Sequence, residues 1–299
     1  MNDNEYLQSV VAAHELDEKS SEAAAVLAVK NNVEKLIRGK LTSAVPVIEI
    51  AGSYAKGTMI RDHYDLDVVC YFQNNETEAG DTLEEIYNTI QDFLSEEYAV
   101  TPKNAALFLS TKDDNGLPLH VDVVPGRFVD DSQTDCFLYQ NDGNKNRLQT
   151  NLRTHINHVK ESGLTDAIKL AKYWRHRRGF DETIRSFVLE LVVIEVLKDK
   201  KSSSLDQQMM SFLTVLRDDI DNVKIVDPAN ETGNDLSTSF NESIRSSLQK
   251  AAKATLISIE NDGWESVFPT SAQNSSSNRA TRIENVTRSV AEPNKLWLE

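Results

Sequence analysis

Apolar positions in the first forty residues recur at helical spacing: Ala24, Leu27, Ala28, Val33, Leu36 and Ile37 fall roughly on one stripe. The run Leu16-Asp17-Glu18-Lys19-Ser20 separates a short first helix from this longer one. Val45 to Ala51 then reads as a strand that feeds a tight Gly52-Ser53 turn, and residues 65–72 read as the next strand. Leu83, Ile86, Tyr87, Ile90, Phe93 and Leu94 make a helical stripe suited to covering one face of a sheet. Ala105–Thr111 and Leu119–Val124 flank the turn-like Lys112-Asp113-Asp114-Asn115-Gly116, a strand, turn, strand pattern whose second strand should end at Pro125-Gly126.

Beyond about residue 150 the pattern turns helical. Thr165-Asp166 is placed to cap a helix with Leu164, Ala167, Ile168, Ala171 and Trp174 inward, leaving Lys169, Lys172 and His176 on another face until Gly179 stops it. Residues 183–197 are apolar nearly all round, as expected of a central helix. Met209, Phe212, Leu213, Leu216 and Ile220 mark a further helix, and Asp235 is placed to cap a last one carrying Phe240, Ile244, Leu248, Ala251 and Leu256. From 270 the chain is Ser- and Asn-rich and reads as a loosely ordered tail, except where Trp297 docks. The pattern predicts an α+β fold: residues 1–155 form a mixed β-sheet with helices behind a long N-terminal helix, and residues 156–299 form a helical lobe, with 270–299 as its tail.

Composition narrows this picture. A chain of 299 residues holds one large domain or two moderate ones, and 39% hydrophobic with 26% charged residues is a globular composition. No apolar run approaches the ~18 residues of a membrane span, and the start Met1-Asn2-Asp3-Asn4-Glu5 lacks a secretory pattern, so a cytoplasmic, membrane-free protein is expected. Cys70 and Cys136 have no metal-ligand spacing. The net charge of −15 opposes non-specific contact with nucleic-acid phosphates, which argues against direct activation by nucleic acid.

The candidate chemistry lies between residues 52 and 122. In an extended strand Asp65 and Asp67 share one face, opposite Leu66, Val68, Cys70 and Phe72. Taken alone, an Asp-x-Asp at a strand edge is equally compatible with solvated surface, and Gly52-Ser53 with an ordinary turn. Asp122 changes the balance. It stands on a mostly apolar strand with only His120 and Val124 on its face, and a carboxylate so placed needs a partner, for which a metal is the best candidate. Three carboxylates suit two Mg²⁺ (or Mn²⁺) ions acting on a nucleoside triphosphate: Asp65 and Asp67 holding the metals, Asp122 holding the one nearest the attacking hydroxyl. Gly52 lets backbone approach the polyphosphate, and Ser53 offers a hydroxyl and an N–H.

Gly52-Ser53-x-x-Lys56-Gly57-Thr58, with Asp65-x-Asp67 and the later Asp122-Val123-Val124-Pro125, resembles the polymerase-β-type nucleotidyltransferase superfamily. The resemblance is strongest to the branch of oligoadenylate synthase, cyclic GMP-AMP synthase and the bacterial cyclic-oligonucleotide synthases (CD-NTases). Lys172-Tyr173-Trp174, Ser186-Phe187-Val188-Leu189-Glu190-Leu191 and Asp227-Pro228-Ala229-Asn230 are similar to that branch's helical-lobe motifs, extending the likeness over most of residues 15–270. It implies a nucleotidyltransferase palm facing a helical lobe across a central cleft, with Lys172 and Ser186 on the donor triphosphate and Phe187 against a base. It further implies ATP or other nucleoside triphosphates as substrates, a cyclic di- or trinucleotide second messenger as product, a separate effector protein in anti-phage defence, and room for a regulatory protein partner. Transfer to an RNA end, a protein or a small molecule, or a catalytically silent nucleotide sensor, are the competing readings. Arg175, Arg177 and Arg178 would neutralise phosphates or pair with neighbouring acids.

Overall fold

A computed structural model describes residues 1–16, 19–61, 65–112, 118–141, 146–181, 183–229 and 236–269. The chain opens with helices α1 (Asp3–His14) and α2 (Ser21–Lys40), followed by β1 (Val47–Ile50), the one-turn helix α3 (Gly52–Lys56), β2 (Leu66–Phe72) and α4 (Leu83–Ser95). Strands β3 (Ala99–Pro102), β4 (Leu107–Lys112), β5 (Pro118–Phe128), β6 (Cys136–Tyr139) and β7 (Arg147–Thr150) precede helices α5 (Leu152–Glu161), α6 (Thr165–Arg177), α7 (Ser186–Leu197), α8 (Leu205–Asp218) and α9 (Glu242–Asp262). The early helices start where their caps dictate. Asn2 and Glu5 form a reciprocal capping box on α1, Ser20 accepts from Ala23 N on α2, and Thr82 with Glu85 repeats the capping box on α4.

The described residues fall into two compact units, one of 16–56 and 65–156, the other of 1–15, 57–61 and 157–269. In the first, the described strands form a single mixed sheet of order β1-β2-β5-β4-β3, with β6 continuing from β5 and β7 from β6. Only the central β2–β5 pair among them is parallel. Its strands are buried on both faces, as central parallel strands require. Val68, Cys70 and Phe72 of β2 and Val121 and Val123 of β5 join Val33, Ile37, Ile86, Ile90 and Leu94 in the main core. On the opposite face Val69 and Tyr71 pack with Phe128, Cys136 and Leu138.

Strand β5 runs three residues past Pro125, contrary to the expectation that Pro125-Gly126 ends it. On the edge away from β2, β4 partners β5 as far as Val123 and β6 takes over at Gly126. Pro125 falls in the gap between the two partners, where a missing N–H is tolerated. Gly126 is needed because a Cβ there would lie 2.8 Å from Cys136 Sγ and 2.7 Å from Leu138 Cδ2. Strands β3, β6 and β7 have no counterpart in the apolar pattern. β3 and β7 are four-residue strands, largely exposed, so no run of apolar residues marks them.

In the second unit α7 is the central helix, with Val188, Leu189, Leu191, Val192, Val193 and Leu197 buried. Leu7 and Val10 of α1 belong to this core, as do Met209, Phe212 and Leu216 of α8. Trp174 of α6 packs edge-on to Phe212 at 6.2 Å and donates from Nε1 to Thr255 Oγ1 of α9 at 2.9 Å. Helix α6 begins without a side-chain cap, so Thr165-Asp166 does not cap it, and Gly179, at φ +72°, follows its end as expected. Nor are its flanks as the spacing suggests, because Lys172 and Arg175 are buried along with the apolar residues. Helix α9 is capped by Asn241, whose Oδ1 accepts from Ile244 N at 3.0 Å. Asp235, Asn230, Trp297 and the expected tail lie outside the described residues.

Candidate active site

The site begins with a register. Asp67 of β2 and Asp122 of β5 are directly paired positions of the parallel ladder, so the backbone places their side chains side by side. Both lie on the face opposite Val68 and Val123, and Asp65 ends the segment just before β2 on the same side. Asp67 is half-buried. Burial, then the charges of Asp122 and Asp65, push its carboxyl up to about 7, while Lys56 and Lys103 act in the opposite sense. Asp122 is raised too, by burial first, with Lys103 pulling it back.

Helix α3 closes over this carboxylate pair. Gly52 sits at φ +57°, and a Cβ there would lie 1.6 Å from Asp67 Oδ2. The glycine is therefore a requirement of space as well as of backbone angle. Ser53 follows it half-buried, and Lys56 at the end of α3 is buried, a surprise for a lysine flanked by turn residues.

Two side chains at the site carry no sequence motif. Lys103, just after β3, donates from Nζ to both oxygens of Asp122, at 2.7 and 2.8 Å, and lies 4.7 Å from the Phe108 ring centroid. Asp122 is thus not the solitary carboxylate that its strand neighbours suggested; its cation comes from nineteen residues upstream through the β3–β4 hairpin. Local pattern offers no signal for this contact beyond a lysine at a strand end. His120 Nδ1 lies 3.3 Å from Asp65 Oδ1, its ring meets Phe108 edge-on, and its buried Nε2 has no hydrogen-bond partner among the described residues.

The donor set fits divalent metal ions in kind: three hard carboxylates, one of them desolvated and repelled by the others until a cation joins them. Among the described residues, however, no three ligating side chains stand ready as a closed metal shell. Lys103 on Asp122 and His120 beside Asp65 hold two of the three carboxylates.

The helical unit holds the remaining candidates. Lys172 Nζ donates to Glu190 Oε1 at 2.6 Å, to Thr58 Oγ1 at 2.9 Å and to Thr58 O at 3.2 Å, while Thr58 Oγ1 donates to Glu190 Oε1 at 2.9 Å. All three side chains are buried. Ser186, exposed, opens α7 and accepts at Oγ from Arg175 Nη1 at 3.0 Å. Arg175 is itself buried and paired with Asp181 at 3.1 Å. Phe187 is half-buried against the helical core.

Residues 34–134, which hold the mixed sheet's paired aspartates and the glycine turn, match the family described as the nucleotidyltransferase domain. The chain has the polymerase-β-like α+β fold seen in the bacterial CD-NTases. Among characterised proteins, it is 25% identical over 223 residues to the cyclic AMP-AMP-AMP synthase of Escherichia coli (strain MS 115-1), covering 62% of this chain and 67% of that protein. The fold of CdnC in the E. coli MS115-1 CdnC:HORMA-deltaN complex matches it with a TM-score of 0.68 at 18% identity, over 90% of this chain and 97% of that one. The Bradyrhizobium diazoefficiens CD-NTase CdnG in complex with GTP matches with a TM-score of 0.69 at 13% identity, over 95% and 98% of the two chains.

Proposed function

We propose that the protein joins nucleoside triphosphates, ATP among them, into a cyclic di- or trinucleotide second messenger. The observation that carries this reading is the in-register pairing of Asp67 with Asp122 beneath Gly52. A nucleotide-binding module needs no desolvated carboxylate pair, whereas phosphoryl transfer assisted by metal ions does. The cyclic AMP-AMP-AMP product named for the E. coli relative supports ATP and ring closure.

In this reading Asp65 and Asp67 would hold two divalent ions, Mg²⁺ or Mn²⁺, and Asp122 would share in holding the one nearest the acceptor. Bound there, the ions supply the charge that stabilises the attacking and leaving oxygens of an in-line transfer. Asp122 orients the acceptor hydroxyl and assists loss of its proton. Gly52 admits the donor's polyphosphate close to Asp67, with Ser53 beside it. Ser186 contributes a hydroxyl whose direction Arg175 sets, and Phe187 would stack on a base. Lys172, which its motif assigns to the donor triphosphate, also bonds Glu190 and Thr58 and so props the segment after α3.

The product would act on a separate effector in anti-phage defence. A regulatory protein is a fitting partner, since the CdnC match comes from a complex with HORMA-deltaN. No described helix is long and apolar enough to cross a membrane, and in this reading the enzyme acts in the cytoplasm.

The test is incubation with ATP, GTP, CTP and UTP plus Mg²⁺ or Mn²⁺, phosphatase treatment, and mass spectrometry. Phosphatase-resistant cyclic product that vanishes in Asp122→Asn is expected. Only linear, phosphatase-sensitive oligomers would overturn ring closure, and transfer to an added RNA end in their place would overturn the substrate class.

A further inference from the structure

We propose that Lys103 is the resident cation of the metal site, occupying Asp122 until a divalent ion displaces it, and so sets how tightly the site takes metal. This rests on the reading of Asp122 as a metal ligand.

Both Asp122 oxygens are engaged by one ammonium, at 2.7 and 2.8 Å. A divalent ion on those oxygens would stand at contact with Nζ, and two cations at that separation inside a partly desolvated site repel strongly. One must leave. The backbone of Lys103 is pinned, because Tyr87 Oη donates to Lys103 O at 2.8 Å and Lys103 N donates to Ala106 O at 2.8 Å. The side chain is the more exposed of the pair, 26% against 16% for Asp122, and its flexible four-carbon stem can move the charge while the main chain stays fixed. The ammonium already lies over the Phe108 ring, 4.7 Å from its centroid, a contact that continues to favour the cation when the carboxylate bonds are given up. Asp65 and Asp67 add their charges to that of Asp122, so the exchange replaces one positive charge by a larger one without leaving the acids uncompensated.

A neighbouring lysine that merely lowers the local potential would behave differently from one that must be displaced. Arginine in its place keeps the charge but grips a carboxylate with a planar, two-pronged fork, making displacement harder. The measurement is Mn²⁺ affinity of the full chain without nucleotide, read by electron paramagnetic resonance of free Mn²⁺. Lys103→Met should bind about tenfold more tightly than the unsubstituted protein, and Lys103→Arg more weakly. Adding Asp122→Asn to Lys103→Met should abolish the gain, since the two residues act as one pair. Lys103→Gln serves as the isosteric neutral variant, and thermal melting confirms that each variant is folded.

Equal or weaker Mn²⁺ binding by both neutral variants would overturn the proposal, as would a gain that survives Asp122→Asn. If instead the unsubstituted protein and Lys103→Met show no Mn²⁺ binding sensitive to Asp65→Asn with Asp67→Asn, the metal-site reading fails and this inference with it.

Discussion

Asp67 and Asp122 occupy paired positions on neighbouring parallel strands, with Gly52 so close above Asp67 that no side chain fits between them. Two carboxylates held side by side by main-chain register cannot separate to relieve their repulsion. The site must therefore be neutralised by a proton, by Lys103 or by metal, and the balance among these sets its behaviour.

That balance makes metal binding pH-dependent. Asp67 is pushed up to about 7 in the metal-free protein, above its ordinary 3.8. The folded state thus holds this proton more tightly than the unfolded chain does. Its contribution to stability is fully present below the unfolded value and is lost as pH rises through the folded one. A metal ion needs the ionised form, so its affinity should climb with pH up to about 7 and level off above it. Thermal melting with and without Mn²⁺ across this range should show the stabilisation by Mn²⁺ growing with pH; stabilisation that is flat with pH would contradict it.

Gly52→Ala should disable the site more than the fold. The new methyl would meet Asp67 Oδ2 at 1.6 Å and would sit at φ +57°, so the Asp67 carboxylate or helix α3 must shift. A displacement of about 1 Å at a reacting centre costs roughly a hundredfold in rate. We expect nucleotidyl transfer to fall by at least that order, with melting changed far less. Activity close to that of the unsubstituted protein would refute the packing argument.

The buried Lys172–Glu190 pair predicts an asymmetry between single and double substitution. Lys172→Met strands the Glu190 carboxylate in the helical core and should cost ~3–5 kcal/mol, whereas Lys172→Met combined with Glu190→Leu should recover most of it. Chemical denaturation measures both. If Lys172 served the donor triphosphate instead, Lys172→Met would weaken nucleotide binding with little loss of stability.

Glu78 should make the entrance to β1 sensitive to acid. Its carboxylate accepts from the backbone N–H groups of Thr42, Ser43 and Ala44, and these bonds, with the Thr42 hydroxyl, hold it well below the ordinary carboxylate range. A depressed folded value means stability that is present above the unfolded value and lost as pH falls through the folded one. Glu78→Gln should therefore lower the melting temperature near neutral pH, with the difference from the unsubstituted protein shrinking in strong acid. A difference that does not change with pH would show that the carboxylate's charge is immaterial.

Much of this was legible in the linear pattern, because the pattern reflects local rules. The helical stripes of α2 and α4, the break near residue 16 and the strand at 65–72 follow from spacing alone. Asp65, Asp67 and Gly52 were legible for the same reason, since a two-residue strand period and a turn glycine are properties of a short stretch. Short exposed strands such as β3 and β7 left no apolar trace, and the course of β5 past Pro125 depends on which strand lies alongside it.

By itself, then, the sequence determined the carboxylates, the turn and the alternation of mixed-sheet and helical regions. Tertiary structure alone decided their partners. That Lys103 reaches Asp122, whether Lys172 faces solvent or Glu190, and with which unit α1 packs all depend on contacts between residues far apart in the chain. The physical reason is that charge and burial are set by whatever the fold brings within a few ångströms, and strand register and core packing choose those neighbours only once the chain has closed on itself.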